Sequence, residues 1–509
     1  MNKNIKHILV LAAILLSLPS CDLQTDSDEK LSGDDFWTEG TEADMNGFVN
    51  SMYYSFRKAT MQDAAFILFS GDLRCAPIET ARDIKNNDWK YITALKTNDL
   101  NLLRETYKNT KDYRADGIMS WKTFYEVIQQ ANIMIAEVDN ANVSDWHKSY
   151  YKYESRFVRD LTYFFLVRNF GDVPYYTNAY NQVALPRTNM IVVLNNISAD
   201  LRDMLDSDPG ADILPWNHAA MSDRCVKASR GAALALLMHV NMWLAGFDSA
   251  NAQTYYQNVV RVGEELVEHN GGNYSLMPIS QTQTIFRGGS SESIFEIAQN
   301  VSYASGNEVF RKEAVFSNQV MYKCFSGQTM PNIYYPYDYM LKVYDTEDDR
   351  LKYWFDDLAL SSVAKNKEII KFSNSDSYDG GNVTSNSGNQ IVFRLADAIL
   401  MYAEALAELG TNDGKACELL NQVRTRSNAS TVNYTGDALK DCIYWERVRE
   451  LIGEGHYFYD LVRTGKLCDS KYCFNPVTRG NFNRGAWTWP ISKSALDNNT
   501  HIQLNLYWE

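Results

Sequence analysis

Hydrophobic positions recur at helical spacing through most of the chain. The spacing predicts helices over residues 121–139, 156–170, 190–205, 227–244, 252–269, 395–409, 415–426 and 438–464. The helix over 156–170 is followed by a C-terminal stop signal. Gly171 tolerates left-handed backbone torsions and Pro174 cannot continue a helix, so the chain leaves this helix abruptly.

The segments 395–409 and 415–426 form the clearest helical hairpin. Gly410 ends the first helix, and the small residues Ala403 and Ala416 let the two helices approach closely. The hairpin has about the length of the ~34-residue tetratricopeptide unit. No strict repeat recurs, so the helical repeats are expected to be degenerate. We expect a mostly α fold with tetratricopeptide-like helical hairpins as its scaffold.

Three stretches interrupt this helical pattern: residues 274–289, 299–336 and 372–389 are rich in Gly, Ser, Asn and Tyr. They predict long loop insertions, and the fold as a whole is expected to contain minor β structure. Loops of that length in a compact fold are usually functional, so a ligand site is expected there. No Pro-, Gly- or Ser-rich linker divides the chain, which favours one domain over 21–509.

The N-terminal segment predicts secretion. A basic tip precedes an apolar run over residues 8–18, then Leu18-Pro19-Ser20-Cys21. Such a run spans only about half of the ~30 Å hydrocarbon core, which favours a cleaved signal peptide over 1–20. Cys21 then becomes a lipidated first residue that anchors the protein to a membrane. The alternative is an ordinary signal peptide with an incidental cysteine.

Charge limits the partners. The formal net charge of −14, with no Lys/Arg-rich stripe to offset it, repels phosphate backbones and argues against nucleic acid. Anionic ligands are disfavoured too, although local basic pockets remain possible. The eight cysteines are too sparse for a disulfide framework. Cys468 and Cys473 either pair or remain ordinary thiols.

Catalytic motifs are weak. Ser149-Tyr150-Tyr151-Lys152 has the spacing of a serine acylase pair but lies in helical sequence, and Gly453-Glu454-Gly455 lacks the third glycine of a dinucleotide loop. Nothing in the sequence supports a zinc site or another cofactor, and His456 is interpreted as structural. The acidic run over 345–349 is a calcium candidate, but a solvated face is favoured.

Several blocks of sequence resemble the SusD-like (RagB/SusD) outer-membrane lipoproteins of Bacteroidetes. They occur in family order and at family spacing: residues 155–159 (SRFVR), 163–167 (YFFLV), 170–174 (FGDVP), 393–397 (FRLAD), 401–405 (MYAEA), 420–424 (LNQVR), 446–463 and Trp489-Pro490-Ile491.

The resemblance implies a helical scaffold with a loop-built ligand site, and a non-catalytic role at the cell surface. It also implies a SusC-like TonB-dependent transporter as partner and a lipid anchor in the outer membrane. Acidic residues after Cys21 resemble the export signal of that group. The shared arginines are interpreted as scaffold residues that pair with carboxylates between helices: Arg159, Arg394, Arg447 and Arg463.

Family members that bind glycans use aromatic platforms and hydrogen bonds from loops near the front of the chain and past its middle. Here that resemblance points to regions near 70–100 and 300–340. The first contains Trp89, the strongest single candidate, with these polar and aromatic neighbours: Asp72, Arg74, Arg82, Asn86, Asp88 and Tyr91. The second contains Tyr303, Asn307, Tyr334, Tyr335 and Tyr337. The alternatives are a buried Trp89 in the core and tyrosines that are loop anchors packed under the chain.

The predicted function is therefore capture of an oligosaccharide or polysaccharide and its delivery to the transporter. A peptide ligand is the alternative within the same uptake architecture. A glycosidase would need two facing carboxylates about 5–10 Å apart in a cleft, and the sequence gives no sign of them.

Overall fold

A computed structural model describes residues 33–61, 67–80, 87–99, 118–299, 333–357, 366–372, 375–378, 383–386 and 388–509. The predicted signal peptide, Cys21, Arg82, Tyr303 and Asn307 lie outside the described residues.

The helices of the described part run in chain order as α1 Gly33–Glu39, α2 Glu42–Met61, α3 Asn87–Lys96, α4 Lys122–Glu137, α5 Asp145–Phe170, α6 Met190–Ser207, α7 Arg230–Phe247, α8 Ala252–Gly263, α9 Thr282–Arg287, α10 Tyr337–Val343, α11 Arg350–Tyr353, α12 Leu395–Leu409, α13 Asp413–Arg426, α14 Gly436–Glu450, α15 Tyr457–Arg463, α16 Arg479–Asn483 and α17 Lys493–Asn498. The strands are β1 Glu79–Thr80, β2 Ser293–Ile297, β3 Ile333–Tyr334, β4 Phe355–Asp357, β5 Lys367–Ile369, β6 Ser375–Tyr378, β7 Val383–Asn386 and β8 Gln390–Arg394.

The long helices pack as successive neighbours. α4 packs on α5, α5 on α6, α6 on α7 and α7 on α8, and α12 then joins α8 to α13 and α14. Each helical pair buries its apolar face against the next pair, as in repeat scaffolds. Buried hydrophobic side chains from Trp37 to Trp508 form one continuous cluster. The predicted mostly α fold built from helical hairpins is confirmed.

The strands are few and short, as predicted. Within the described residues they form two-stranded antiparallel pairs: β1 with β3, β2 with β8, β4 with β5, and β6 with β7. The last pair corrects the prediction of a plain loop over 372–389. Likewise, the predicted loop over 274–289 contains the short helix α9.

Helix ends agree with local signals where those signals exist. Gly171 and Gly410 adopt positive φ angles of 73° and 62° at the ends of α5 and α12, as predicted. The predicted helix over 438–464 is instead two helices, α14 and α15. Gly453 and Gly455 lie between them at φ angles of 81° and 85°, which no continuous helix accommodates. The sequence interpretation also missed α2, which buries Met45, Val49, Met52 and Phe56 at helical spacing.

The interior contains a network of ion pairs. The Arg394 guanidinium contacts the carboxylates of Glu292, Glu450 and Glu454 at 2.6–2.7 Å, and all four residues are buried. Each of the other shared arginines also contacts a carboxylate: Arg159 contacts Asp200, Arg447 contacts Asp460 and Asp397, and Arg463 contacts Glu404. The predicted pairing of these four arginines is confirmed. Buried charges of this kind are tolerated only when they are paired and hydrogen-bonded.

Candidate functional site

The two regions predicted to bind ligand meet at the ladder between β1 and β3. Glu79 is the register partner of Tyr334, and Thr80 is the partner of Ile333. Directly paired residues of antiparallel strands have Cβ atoms about 4.5–5.5 Å apart and point to the same face. The ladder therefore brings the segment after residue 70 and the segment before residue 340 to a single edge of the molecule.

The described surface of this edge is polar and aromatic. The Glu79 carboxylate accepts from the Lys96 ammonium at 2.6 Å, and Lys96 also donates to the Ile78 carbonyl at 3.3 Å. The Glu79 side chain is 43% exposed. Burial, and secondarily the charge of Glu79, raises the pKa of the half-buried Tyr334 phenol. This phenol therefore stays protonated and can donate a hydrogen bond near neutral pH.

The pair of Glu79 and Lys96 was missed in the sequence interpretation. Glu79 is the first residue of β1 and Lys96 is the last residue of α3, and neither lies in a recognisable motif. Their proximity follows from the fold: Cys75 N donates to the Leu95 carbonyl at 3.0 Å, which fixes the end of α3 beside the chain that leads into β1. No signal in the sequence alone would have found the pair.

Trp89 and Tyr91 lie on α3. Their side chains, and Asn86 and Asp88 with them, lie outside the residues whose side chains the structure describes. α3 itself is anchored, because Ile92 and Leu95 are buried. The proposed role of Trp89 and its neighbours therefore stays a prediction, attached to a helix that adjoins the ladder.

Asp72 lies in the protein interior, where it makes a hydrogen bond to the backbone. Its side chain is 2% exposed, and its Oδ2 accepts from the backbone N–H of Gly455 at 2.5 Å. Burial raises the pKa of Asp72 to about 8, more than the Gly455 hydrogen bond lowers it. This placement corrects the prediction that Asp72 reaches a ligand, since the carboxyl group connects the first region to the turn between α14 and α15.

Arg74 is also an interior residue. Its side chain is fully buried, and its two Nη atoms donate to the carbonyls of Trp487 and Ala486 at 2.6 Å each. The guanidinium lies 4.4 Å from the ring centroid of Phe458 and 5.1 Å from that of Trp489. Arg74 therefore fastens the first region to the C-terminal part of the chain, and its assignment to the ligand surface is corrected.

A π-helical segment, Ile67–Leu73, precedes these anchors. Gly71 lies so close to Gly455 that a Cβ atom on Gly71 would be 2.2 Å from the Gly455 oxygen. The indole of Trp489 donates to Ser70 Oγ at 2.9 Å. The block Trp489-Pro490-Ile491, noted above for its resemblance, thus supports the base of the first region.

Tyr335 is buried, unlike its neighbour Tyr334. Its backbone exchanges hydrogen bonds with Lys367 at 2.9 and 3.0 Å, and its ring packs near Tyr339 and Phe355. Because successive side chains of an extended strand point to opposite faces, only one of two adjacent tyrosines faces outward. Tyr335 is therefore a core residue, which corrects its assignment as a ligand contact.

The cavity behind the ladder is small. Its volume is about 20 Å³, and Asp72, Tyr335, Tyr457 and Asp460 are among the residues that line it. That space accommodates about one water molecule. Any ligand larger than a water molecule would therefore have to contact the outer face of the ladder and not this cavity.

One described group has the composition of a metal site. Single ligand atoms of His239, Asp397 and His456 lie within 4.8 Å of one another, and all three residues are buried. However, Asp397 also contacts Arg447 at 2.7 Å, and Arg447 is charged. Burial lowers the pKa of His456 to about 4, so its imidazole is neutral at pH 7. Asp397 thus links this group to the interior ion pairs, since it contacts both Arg447 and His239 at 2.7 Å.

Two other predictions have definite outcomes. Asp348, in the acidic run, is buried and contacts Arg350 at 2.7 Å, whereas Asp345 and Glu347 are exposed. The predicted solvated face is therefore wrong at Asp348. Cys468 and Cys473 are both free thiols, which decides between the two alternatives, and the Cys473 thiol is hydrogen-bonded to Cys75 instead.

Every helix in the described ranges is too short or too polar to cross a membrane. Comparison with known proteins gives matches along most of the chain. A family profile described as "SusD family" matches residues 328–508, and one described as "Starch-binding associating with outer membrane" matches residues 75–242.

Individual proteins similar to this chain are of the same type as the matched family profiles. A solved SusD homolog from Bacteroides thetaiotaomicron is 52% identical, with a TM-score of 0.86 over 93% of this chain and 100% of that one. A laminarin-binding SusD-like protein is 21% identical, with a TM-score of 0.68 over 91% and 99% of the two chains, a likeness that shows the fold. A SusD-like protein of Formosa agariphila is 22% identical over 99% of each chain.

Proposed function

The chain belongs to the SusD family, and we propose that it captures an oligosaccharide or polysaccharide at the cell surface and delivers it, without catalysis, to a SusC-like TonB-dependent transporter. The observation that carries this proposal is the β1–β3 ladder, which joins the two regions that are predicted to contact ligand. The match to a family profile described as starch-binding and the likeness to a laminarin-binding relative support a glycan as the ligand.

The chemistry of the edge suits a sugar. A pyranose presents hydroxyl groups around its rim and an apolar C–H face, so it needs hydrogen-bonding groups next to an aromatic ring. Tyr334 and Glu79 supply such groups on the described surface. Trp89 on the adjoining helix is proposed to supply the flat apolar face.

Weak binding per site is sufficient for uptake. A polymer presents many equivalent units, and a protein tethered beside its transporter gains effective concentration. Dissociation constants between about 1 mM and 1 μM correspond to about −4 to −8 kcal/mol, which a few hydrogen bonds and one stacked ring can provide.

A glycan and peptide array, probed with the chain from residue 22 onward, tests the ligand class. We expect binding to glycans, and we expect Trp89→Ala to lose it. Trp146→Ala is the matched control, because Trp146 is 45% exposed but lies on α5, outside the ladder. Binding to peptides alone would favour the alternative ligand, and unchanged glycan binding by Trp89→Ala would remove Trp89 from the site.

The anchor and the partner are tested separately. Metabolic labelling with palmitate should mark the parent protein but not a Cys21→Ala variant. A label retained by the variant would contradict the lipidation proposal. Purification of the lipidated protein from mild detergent extracts should recover a TonB-dependent barrel, identified by mass spectrometry, and recovery without any barrel would contradict the proposed partnership.

A further inference from the structure

Two cysteines from distant parts of the sequence meet in the protein interior. Cys75 precedes β1, and Cys473 lies in the segment between α15 and α16. Both side chains are buried, and both are free thiols in the structure. The Cys75 thiol donates a hydrogen bond to the Cys473 sulfur. The fold therefore places two oxidisable groups side by side.

Contacts that do not involve sulfur hold the two cysteines together. Cys75 N donates to the Leu95 carbonyl at 3.0 Å, and the Asn475 side-chain amide donates to the Lys96 carbonyl at 2.7 Å. Two consecutive carbonyls at the end of α3 thus accept from the two segments that carry the thiols. The proximity of the thiols is a property of the fold and does not depend on their own weak hydrogen bond.

Cys75 has an unusual backbone conformation. Its φ angle is 58°, in the left-handed region that residues other than glycine rarely adopt. Such conformations persist where the surrounding structure fixes them, and they are concentrated at functional positions. Here the buried Arg74 and the hydrogen bond to Leu95 fix the chain on either side of the Cys75 side chain. The direction of the Cys75 side chain is therefore set by the fold.

Other buried thiols of the described residues have a different kind of partner. The Cys225 thiol donates to the Ser293 carbonyl at 3.2 Å, and the Cys417 thiol donates to the Val432 carbonyl at 3.0 Å. A thiol is a weak donor, and a backbone carbonyl satisfies it. The partner of Cys75 is instead a second sulfur, with which it can form a covalent bond.

Cys473 is the member of the pair that a reagent in solution reaches first. It lies in an irregular segment in which residues 469–471 are exposed, and the next side chain, Phe474, is 65% exposed. Irregular surface segments open locally more easily than core helices do. The hydrogen bond from Cys75 lowers the pKa of the Cys473 thiol more than burial raises it, which favours the reactive thiolate.

We propose that Cys75 and Cys473 form an intramolecular disulfide after the chain has left the cytosol. The oxidant is a protein disulfide of an exported thiol oxidoreductase. The Cys473 thiolate attacks this disulfide, which forms a mixed disulfide and releases one oxidoreductase thiolate. Cys75 then loses its proton to solvent, and its thiolate attacks the Cys473 sulfur and releases the second oxidoreductase thiolate. The chain loses two electrons, and the oxidoreductase disulfide gains them.

The bond cross-links the segment that leads into β1 to the C-terminal part of the chain. It lies beside Asp72 and Arg74, which hold the same segment without covalent bonds. A cross-link between residues far apart in sequence restricts the unfolded chain more than a local one does. The inference rests on the export that is part of the proposed function, since disulfides persist in oxidising compartments.

Peptide mapping without reductant tests the inference. The exported protein is taken from the cell envelope, its free thiols are blocked with N-ethylmaleimide at lysis, and it is digested with trypsin. Mass spectrometry should find residues 75–82 joined to residues 472–479, about tenfold in excess of the two alkylated peptides, and reduction should separate them. The purified chain from residue 22 onward should give the same linked species with oxidised glutathione.

Two variants identify the sulfur atoms. Cys473→Ser should lose the linked species. Cys468→Ser is the matched control and should keep it, because Cys468 is a nearby free thiol outside the proposed bond. The mapping of the parent protein decides the question by itself if Cys473→Ser fails to fold.

The outcomes separate this inference from the proposed function. Alkylated Cys75 and Cys473 in the exported protein overturn the inference, even where oxidised glutathione forms the bond in the purified chain, and so does a bond between Cys473 and Cys468. Glycan binding by such an unlinked protein leaves the proposed function in place. A linked protein that binds no glycan supports the disulfide and contradicts the function. Protein found only in the cytosol overturns both the disulfide and the surface location.

Discussion

Replacing Arg74 with methionine tests whether the ligand-side edge depends on the C-terminal part of the chain. Methionine has a similar length but no donors, so the carbonyls of Ala486 and Trp487 would lose their partners in a buried site. The substitution also removes the contacts of the guanidinium with the Phe458 and Trp489 rings.

The magnitude can be estimated from these contacts. A hydrogen bond to a charged group contributes about 1.5–3 kcal/mol, and a desolvated cation–π contact adds about 2 kcal/mol. The gain is opposed by the cost of burying the charge, which lowers the pKa of Arg74 to about 10. We expect the free energy of local opening of this region to fall by about 3 kcal/mol, which is about a 100-fold change in the opening equilibrium.

Native-state hydrogen exchange is the suitable assay, because a chain of this size need not unfold in a single step. Peptides covering residues 70–80 and 87–99 should exchange about 100-fold faster in Arg74→Met. Arg202→Met on α6 is the control, since the Arg202 side chain donates within its own helix, to Ser198 O. Unchanged exchange in these peptides, or equal acceleration over the whole chain, would refute the anchoring role.

Three further predictions concern stability. Burial raises the pKa of Asp72 from 3.8 to about 8, so between these values the unfolded chain loses this proton while the folded chain keeps it, and the stability of the parent falls as pH rises. Asp72→Asn should therefore gain thermal stability relative to the parent as pH rises from 5 to 8. A difference in melting temperature that is constant with pH would contradict this. Gly71→Ala should lower the melting temperature, since its Cβ would meet Gly455, whereas Gly47→Ala, with open space on α2, should raise stability by about 0.5–1 kcal/mol. Glu450→Gln should cost about 3–5 kcal/mol at pH 7, because it removes one buried carboxylate from the charges that balance the Arg394 and Arg350 guanidiniums. Burial would raise the pKa of Glu450, but arginine charges outweigh it and lower the pKa, so this loss should shrink as pH falls below 4.5.

The scaffold was predictable because its signals are local. The bounds of α12, Leu395–Leu409, coincide with the predicted helix, since an apolar stripe and the left-handed Gly410 both lie within that segment. Ion pairs of the shared arginines were also predictable in kind, because a buried arginine requires an acidic partner. The division between α14 and α15 was missed although Gly453 and Gly455 are visible in the sequence, and the packing of Gly455 against Gly71, far away in sequence, follows only from the fold.

The site was less predictable because its residues differ only in which way they face. Asp72 and Arg74 are residue types that are common in ligand sites. Their hydrogen-bond partners, however, are backbone groups of Gly455, Ala486 and Trp487, which are separated from them by most of the chain. Tyr334 and Tyr335 are adjacent and identical, and only the pairing of β3 with β1 determines which one is exposed. No periodicity over two residues can reveal that pairing.

The buried anchors and the exposed polar group of this segment are separated by a few residues. Asp72 and Arg74 are fixed by contacts with the C-terminal part of the chain, whereas the Glu79 side chain is 43% exposed. Because none of these anchors involves the Glu79 side chain, a substitution of Glu79 leaves the contacts that hold this segment in place. The anchored part and the exposed side chain of this segment can therefore vary separately, and the fold is shared with a solved relative that is 21% identical.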